Sequence, residues 1–333
     1  MVNIGIVNSS SFGKLFLEHI SQLEEFSKVS RHQIDSGSDL SIFTEELSDL
    51  DGIIASVTPV FSKEVLKALP KLKIITRHGV GCDNVDLVTC TELGIPVSKV
   101  SWQVEQASVA ELAVALLMSV ARRVVEGDRL VRDSLWASRA TLMGLELKGK
   151  TVGLIGVGAI GSYTGQILKN GFGMNVLGYD PARTKEQLEV RGVEKVSLEE
   201  LLKVSDVISL HCPLNNETLR ILNKDRLTTT KKGVIIINTT RGECLDETSL
   251  IELLESGHIG GYGTDVVEGE PIDGNHRILK APRTVVLPHL GGYSYESLKG
   301  MGDTMVSDMR KFFVEKKLPG TLANPDVRVR AWH

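Results

Sequence analysis

Short apolar runs separated by stretches with helical spacing repeat along most of this chain. Toward the N-terminus, Ile4–Val7, Gly52–Ala55, Leu72–Thr76 and Pro96–Val100 have the length and composition of strands. Lys14–Glu25 and Lys63–Leu69 carry the helical spacing between them. Strands alternating with helices predict a parallel sheet covered by helices. Ser108–Arg123 then reads as a long helix. Its apolar residues, Val109, Leu112, Ala113, Leu116, Leu117 and Val120, nearly surround it, as in a helix buried within a subunit or against a second copy. After the polar link Leu147-Lys148-Gly149-Lys150 the alternation restarts. Thr151–Ile155, Asn175–Tyr179, Asp206–His211, Val234–Asn238, Gly261–Asp265 and Thr284–Leu287 are the second set of strands, and Ser294–Phe313 is a closing helix. Two α/β units in succession predict a doubly wound architecture.

Composition narrows the function. The 333 residues are enough for two domains with sizeable cores. A net charge of −4 and scattered basic pairs, Arg122-Arg123, Lys231-Lys232 and Lys316-Lys317, leave no footprint for nucleic acid. Cys82, Cys90, Cys212 and Cys244 lack metal-ligand spacing, so no metal is expected, and free thiols point to a reducing, cytoplasmic setting. The start, Met1-Val2-Asn3-Ile4-Gly5-Ile6-Val7, reads as a strand rather than a signal peptide. The run Val109–Val120 contains Glu111 and reads as too short to span a bilayer.

The strand Thr151–Ile155 leads into Gly156-Val157-Gly158-Ala159-Ile160-Gly161, which opens a helical pattern over Gly161–Asn170. In that context GxGxxG is a dinucleotide fingerprint. Gly156 permits the tight turn, Gly158 lets backbone approach a pyrophosphate, and Gly161 allows close packing of helix on strand. The next strand ends at Asp180, near the spacing of a ribose-binding carboxylate. An acid there accepts from both ribose hydroxyls and repels a 2′-phosphate, favouring NAD over NADP, although Arg183 lies close by.

Three polar residues follow strands of this second unit: Arg241 in Asn238-Thr239-Thr240-Arg241-Gly242, Glu270 in Asp265-Val266-Val267-Glu268-Gly269-Glu270-Pro271, and His289 in Leu287-Pro288-His289-Leu290-Gly291-Gly292. Open α/β sheets bind ligands outside the carboxyl ends of their strands. Oxidising a carbinol removes a proton with the hydride, and His289 is suited to carry that proton. Glu270 would orient the imidazole and favour its charged form. Arg241 would clamp a substrate carboxylate. The turn Gly79-Val80-Gly81 can aim N–H groups at the same carboxylate.

With these motifs and Gly79-Val80-Gly81-Cys82-Asp83-Asn84-Val85-Asp86, the chain resembles the D-isomer-specific 2-hydroxyacid dehydrogenases over nearly its whole length. The resemblance implies an NAD-dependent enzyme that interconverts a small D-2-hydroxy acid and its 2-keto acid, with Arg241, Glu270 and His289 as the catalytic set. It implies a discontinuous, flavodoxin-like substrate domain, 1–100 and 293–333, and a Rossmann NAD domain, 101–292, that includes the 108–123 helix. By the same resemblance Ala159, Ile160, Cys212, Thr239, Asp265, Gly291 and Gly292 join Gly156, Gly158, Gly161 and Asp180 around the dinucleotide. Ala55, Ser56, Gly79, Val80 and Gly81 would meet substrate. His78 either lines that pocket or packs its loop. His211 reads as structural, and His19, His32, His258, His276 and His333 receive no role. The resemblance also implies a homodimer. Ala55-Ser56-Val57-Thr58 lacks the arginine with which some 3-phosphoglycerate dehydrogenases hold a phosphate, which places that alternative in doubt. The alternative of another class is an NAD(H)-sensing, corepressor-like protein. One residue more than usual falls at Asn170-Gly171-Phe172-Gly173.

Overall fold

Nearly continuous apolar strands build two all-parallel sheets in the computed structural model, which describes residues 1–35 and 37–330. The chain divides into Met1–Glu105 with Gly292–His333, and Gln106–Gly291. The sequence-based boundary at residue 100 thus falls short of this division, which lies in the first turn of a helix. His333 lies outside the described residues.

The first unit holds β1 (Val2–Val7), β2 (Ser27–His32), β3 (Gly52–Ala55), β4 (Ile74–Arg77) and β5 (Val97–Lys99), in the order β2-β1-β3-β4-β5. This is the flavodoxin-like order, with its switch point between β1 and β3. Successive side chains point to opposite faces, so Ile4, Ile6, Ile54 and Ile74 join one core, and Val7, Ile53, Ala55 and Ile75 join the other. Burial on both faces is why these strands lack a polar alternation. The helix Tyr295–Phe313 covers the first face with Leu298, Met301, Met305, Met309 and Phe312, a stripe at three- and four-residue spacing. Ser294 caps it by accepting from the Ser297 amide at 3.1 Å.

The second unit holds β6 (Thr151–Ile155), β7 (Asn175–Tyr179), β8 (Glu194–Lys195), β9 (Val207–Leu210), β10 (Val234–Asn238), β11 (Ile259–Thr264) and β12 (Thr284–Val286), in the order β12-β11-β10-β9-β6-β7-β8. The chain winds outward from β6 through β7 and β8, then returns to the other side of β6 with β9. That reversal opens a crevice at the carboxyl ends of β6 and β9.

Several elements differ from their sequence-based limits. The helix expected over Lys14–Glu25 is confined to Glu18–Glu24. The Ser9 hydroxyl accepts from the Phe12 amide and Lys14 N donates to Ser11 O, which holds a turn there instead. The helix expected over 108–123 runs from Trp102 to Ala121. It stops where Arg123 takes a left-handed φ of 53° and starts the helix Val124–Arg132. At this length Trp102–Ala121 is long and apolar enough to cross a membrane, whereas the run Val109–Val120 alone is too short. Its inner side is packed against protein: a Cβ on Gly261 or Gly263 would strike Val120 or Leu116. The segment Asn170-Gly171-Phe172-Gly173 ends the helix Ala159–Phe172, which Gly173 closes in the left-handed conformation.

Candidate active site

At the β6–β9 crevice, Gly156 has φ +90°, and a Cβ there would lie 2.7–2.8 Å from the backbone of His211 and Cys212. A Cβ on Gly161 would lie 2.3 Å from Gly156 O, so only glycine lets the helix Ala159–Phe172 begin so close to the turn. Around Gly158, by contrast, a Cβ would meet nothing within 4 Å. The helix N-terminus at Ala159 and Ile160 therefore presents its amides and partial positive charge beside open space, the arrangement that receives a phosphate.

Asp180, just past β7, is half-buried and held by backbone. Its Oδ2 accepts from Val157 N at 2.9 Å and its Oδ1 from Ala182 N at 3.0 Å. Arg183 Nε lies 3.4 Å from Oδ2, so the cation is paired with the acid. Across the crevice, His211 Nε2 shares a hydrogen bond with Ser209 Oγ at 2.9 Å, and burial pushes its pKa down to about 4.

The ends of β10, β11 and β12 are joined by one hydrogen-bonded chain. Asn238, fully buried at the end of β10, donates from Nδ2 to Arg241 O at 2.9 Å, and its Oδ1 accepts from the Thr240 amide and hydroxyl. Asn238 O accepts from Asp265 N at 3.3 Å, and Asp265 O accepts from His289 N at 2.8 Å. His289 is held at φ 51° and its Nδ1 is hydrogen-bonded to Glu270 Oε1. The other Glu270 oxygen accepts from Val267 N at 3.3 Å. Both side chains are about a third exposed, so the pair is fixed yet reachable from solvent. Gly242 seals the arrangement: a Cβ there would lie 2.1 Å from Glu268 N, so the loop carrying Arg241 lies directly on the loop carrying Glu270.

Asp265 is 1 % exposed. Burial pushes its pKa up, with the His289 charge opposing that shift. Its Oδ2 accepts from Gly291 N at 2.7 Å, and Oδ1 and the Thr239 hydroxyl are buried without a hydrogen-bond partner among the described residues. Two orphaned polar atoms beside a glycine-lined crevice fit a polar ligand that would complete them. In the sequence Asn238 stands out only as part of a motif. The available signal was a polar residue ending an otherwise apolar strand.

In the first unit, Ala55, Ser56, His78, Gly79, Val80 and Gly81 collect at the ends of β3 and β4. His78 N donates to Ala55 O at 2.9 Å, and Asn84 Nδ2 holds Ser56 O and Pro59 O at 3.0 and 2.9 Å. Arg77 is buried and donates to His78 O, and its guanidinium fills the space where a Cβ on Gly79 would sit. His78 is 8 % exposed and lies edge-on to Phe12 at 5.5 Å. Burial, then the Arg77 and His19 charges, pushes its pKa down to about 3. Gly292 is counted with this unit, apart from Gly291. A hydroxyl pair, Ser10 Oγ and Tyr293 OH at 2.9 Å, lies in the same unit and had no sequence signal. Among the described residues, no group of three or more His, Cys, Asp or Glu side chains is placed to hold a metal ion.

Residues 114–291 match the family model of the D-isomer specific 2-hydroxyacid dehydrogenase NAD binding domain. The chain is 37 % identical over 314 residues to a glyoxylate reductase from Thermococcus litoralis, covering 92 % of this chain and 94 % of that one. It is 35 % identical over 277 residues to a D-3-phosphoglycerate dehydrogenase from Archaeoglobus fulgidus, covering 83 % of this chain and 52 % of that one. The crystal structure of a glyoxylate reductase from Paecilomyes thermophila superposes with a TM-score of 0.83 at 29 % identity, covering 97 % and 98 % of the two chains.

Proposed function

This chain belongs to the D-isomer-specific 2-hydroxyacid dehydrogenase family, and from that membership we propose a division of labour among its site residues. The enzyme is an NAD-dependent oxidoreductase that interconverts 2-hydroxy and 2-keto acids. The nicotinamide supplies or accepts the hydride when bound. The protein's task is to position the substrate and move the proton.

The observation that carries the reading is the His289–Glu270 hydrogen bond at the end of a chain of contacts that includes Arg241. With Nδ1 engaged by Glu270, Nε2 is the nitrogen that gives a proton to the carbonyl oxygen in reduction and takes one from the hydroxyl in oxidation. Glu270 keeps the ring in one orientation and balances its charge. Arg241 holds the carboxylate and draws electron density from the adjoining carbonyl. The Gly79-Val80-Gly81 turn of the first unit has backbone N–H groups of the kind that bind a carboxylate. Gly156, Gly158, Ala159, Ile160 and Gly161 receive the pyrophosphate and Asp180 the adenosine ribose. Thr239, Asp265 and Gly291 take the nicotinamide end, where the partnerless Thr239 and Asp265 oxygens have hydrogen bonds left to make.

For substrate we propose a small, unphosphorylated 2-keto acid of the glyoxylate or hydroxypyruvate type. Ala55 and Ser56 supply no cation at the end of β3. The arginine of the neighbouring turn, Arg77, is buried and donates to its own chain, and His78 is held neutral at ordinary pH. A substrate phosphate would find no ready counter-charge among them. We further propose a homodimer that buries the exposed Val124, Val131, Leu135, Trp136 and Met143, an apolar group on and beside the helix Val124–Arg132, to be read by sedimentation. Four free cysteines suit a cytoplasmic location.

The direct test is a panel of glyoxylate, pyruvate, hydroxypyruvate and phosphohydroxypyruvate with NADH and NADPH. Highest kcat/KM on an unphosphorylated acid with NADH is expected, and Asp180→Ala narrows the gap between cofactors. Preference for phosphohydroxypyruvate overturns the substrate reading, and preference for NADPH overturns the role given to Asp180.

A further inference from the structure

Cys212 and Cys244 are 7 % and 0 % exposed and belong to one core cluster. Cys212 follows β9 and Cys244 follows β10, and these strands are neighbours, with Leu210 beside Asn238. That pairing brings the two thiols close enough to interact with each other, with the Thr240 side chain also beside Cys244.

Each thiol sits on a segment that shapes the site. The Cys212 amide lies where a Cβ on Gly156 would be 2.8 Å away, so the phosphate turn rests on Cys212 without slack. The Cys244 amide donates to Arg241 O at 3.2 Å, and Leu245 N donates to Gly242 O at 3.1 Å. Joining the sulfurs requires drawing them together to a bond of about 2.05 Å. The required shift falls on the Gly156 turn and on the Arg241 loop together.

We propose that Cys212 and Cys244 are an oxidisable dithiol that hydrogen peroxide closes to a disulfide, and that closure disables the dinucleotide turn. Cys244 is the attacking sulfur. The Cys212 thiol, the Thr240 hydroxyl and the Arg241 charge together outweigh burial and the Glu243 charge and favour the Cys244 thiolate, while Cys244 and burial hold Cys212 as the thiol. The Cys244 sulfur displaces hydroxide from peroxide and becomes a sulfenic acid as the O–O bond breaks. The hydroxide leaves as water with the proton that Cys244 gave up. Cys212 sulfur then attacks the sulfenic sulfur, and its own proton departs with the displaced hydroxyl as a second water. The two sulfurs lose one electron each, and peroxide is reduced to two waters. Cys212 lies in the loop after β9 and Cys244 ends the single turn Gly242–Cys244, short segments at strand ends whose local opening admits a molecule as small as peroxide. A thiol reductant reverses the bond by exchange.

The consequence for the enzyme rests on the proposed placement of Cys212 beside the cofactor, whereas the bond itself does not. The experiment therefore has two readouts on the whole chain. Peroxide-treated protein is digested without reduction and mapped by mass spectrometry, and NADH binding is titrated by fluorescence before and after treatment. A cross-linked peptide pair holding Cys212 and Cys244 is expected, with a loss in NADH affinity of at least about tenfold that dithiothreitol restores. Cys244→Ser gives no such pair and keeps its NADH affinity through the same treatment. Treated wild-type protein in which the two peptides stay unlinked overturns the dithiol. A linked pair with unchanged NADH affinity overturns its effect on the cofactor turn while leaving the chemistry standing.

Discussion

His78 and His289 each follow a parallel strand at its carboxyl end, β4 in one unit and β12 in the other, yet they are made into different residues. His78 is packed edge-on against Phe12, has no carboxylate hydrogen-bonded to its ring among the described residues, and is held neutral down to about pH 3. His289 is a third exposed and its Nδ1 is engaged by Glu270. Strand-end position supplies access to a crevice. A carboxylate partner and partial exposure turn an imidazole into a proton carrier, and burial without a partner turns it into a neutral packing group.

The largest effect should come from the histidine with the partner. His289→Ala should lower kcat/KM by ~10²–10⁴-fold in both directions, the usual scale of general acid–base catalysis. His78→Gln, which also stays neutral, should cost less than ~10-fold, in KM rather than kcat. Steady-state kinetics of the two variants side by side decide the matter. A His78 variant that loses as much kcat as the His289 variant breaks the comparison.

Arg241→Ala sharpens the same contrast from the substrate side. Losing a charge-assisted hydrogen bond of ~1.5–3 kcal/mol should cost at least ~10-fold in kcat/KM. Fluorescence titration should find NADH binding nearly intact. Lost NADH binding with unchanged keto-acid kinetics would remove Arg241 from the carboxylate site.

A smaller effect concerns stability. His78 and His211 have native pKa values of about 3 and about 4, both below the ordinary value of 6.5. Each therefore binds fewer protons folded than unfolded. Their contribution is fully present above pH 6.5 and is lost as pH falls through the native values. Thermal unfolding followed from pH 7.5 to 4 should show a Tm that is level at first and then falls steeply below about pH 6.5. A Tm unchanged down to pH 4 would mean that neither ring is as well buried as described.

Much of this was legible in the sequence because the determinants are local. Gly156, Gly158 and Gly161 are required by turn geometry within one strand–helix junction, and Asp180 by the strand that follows. Arg241, Glu270 and His289 lie at strand ends that the apolar runs locate. What could not be read depended on edges or on contacts distant in sequence. β2, Ser-Lys-Val-Ser-Arg-His, is an edge strand with little apolar surface to bury, and the two-residue β8 leaves no period at all. The helix Val124–Arg132 has no buried residue in the chain, so it leaves no core signal. The neutrality of His78 comes first from burial, with Phe12 from far along the chain edge-on to its ring, and the meeting of Cys212 with Cys244 from the adjacency of β9 and β10.

The central claim is that His289 moves the proton and Glu270 makes it able to. The most direct measurement is a pair of pH profiles of kcat/KM, one for each direction, in wild type and Glu270→Gln, with hydride transfer confirmed as rate-limiting by a deuterium isotope effect. Reduction consumes a proton and needs His289 charged; oxidation releases one and needs it neutral. Wild-type reduction should therefore fall with rising pH while oxidation rises, and Glu270→Gln, which leaves the His289 ring without its carboxylate partner, should lower reduction more than oxidation. Profiles that coincide in wild type and Glu270→Gln would contradict the account.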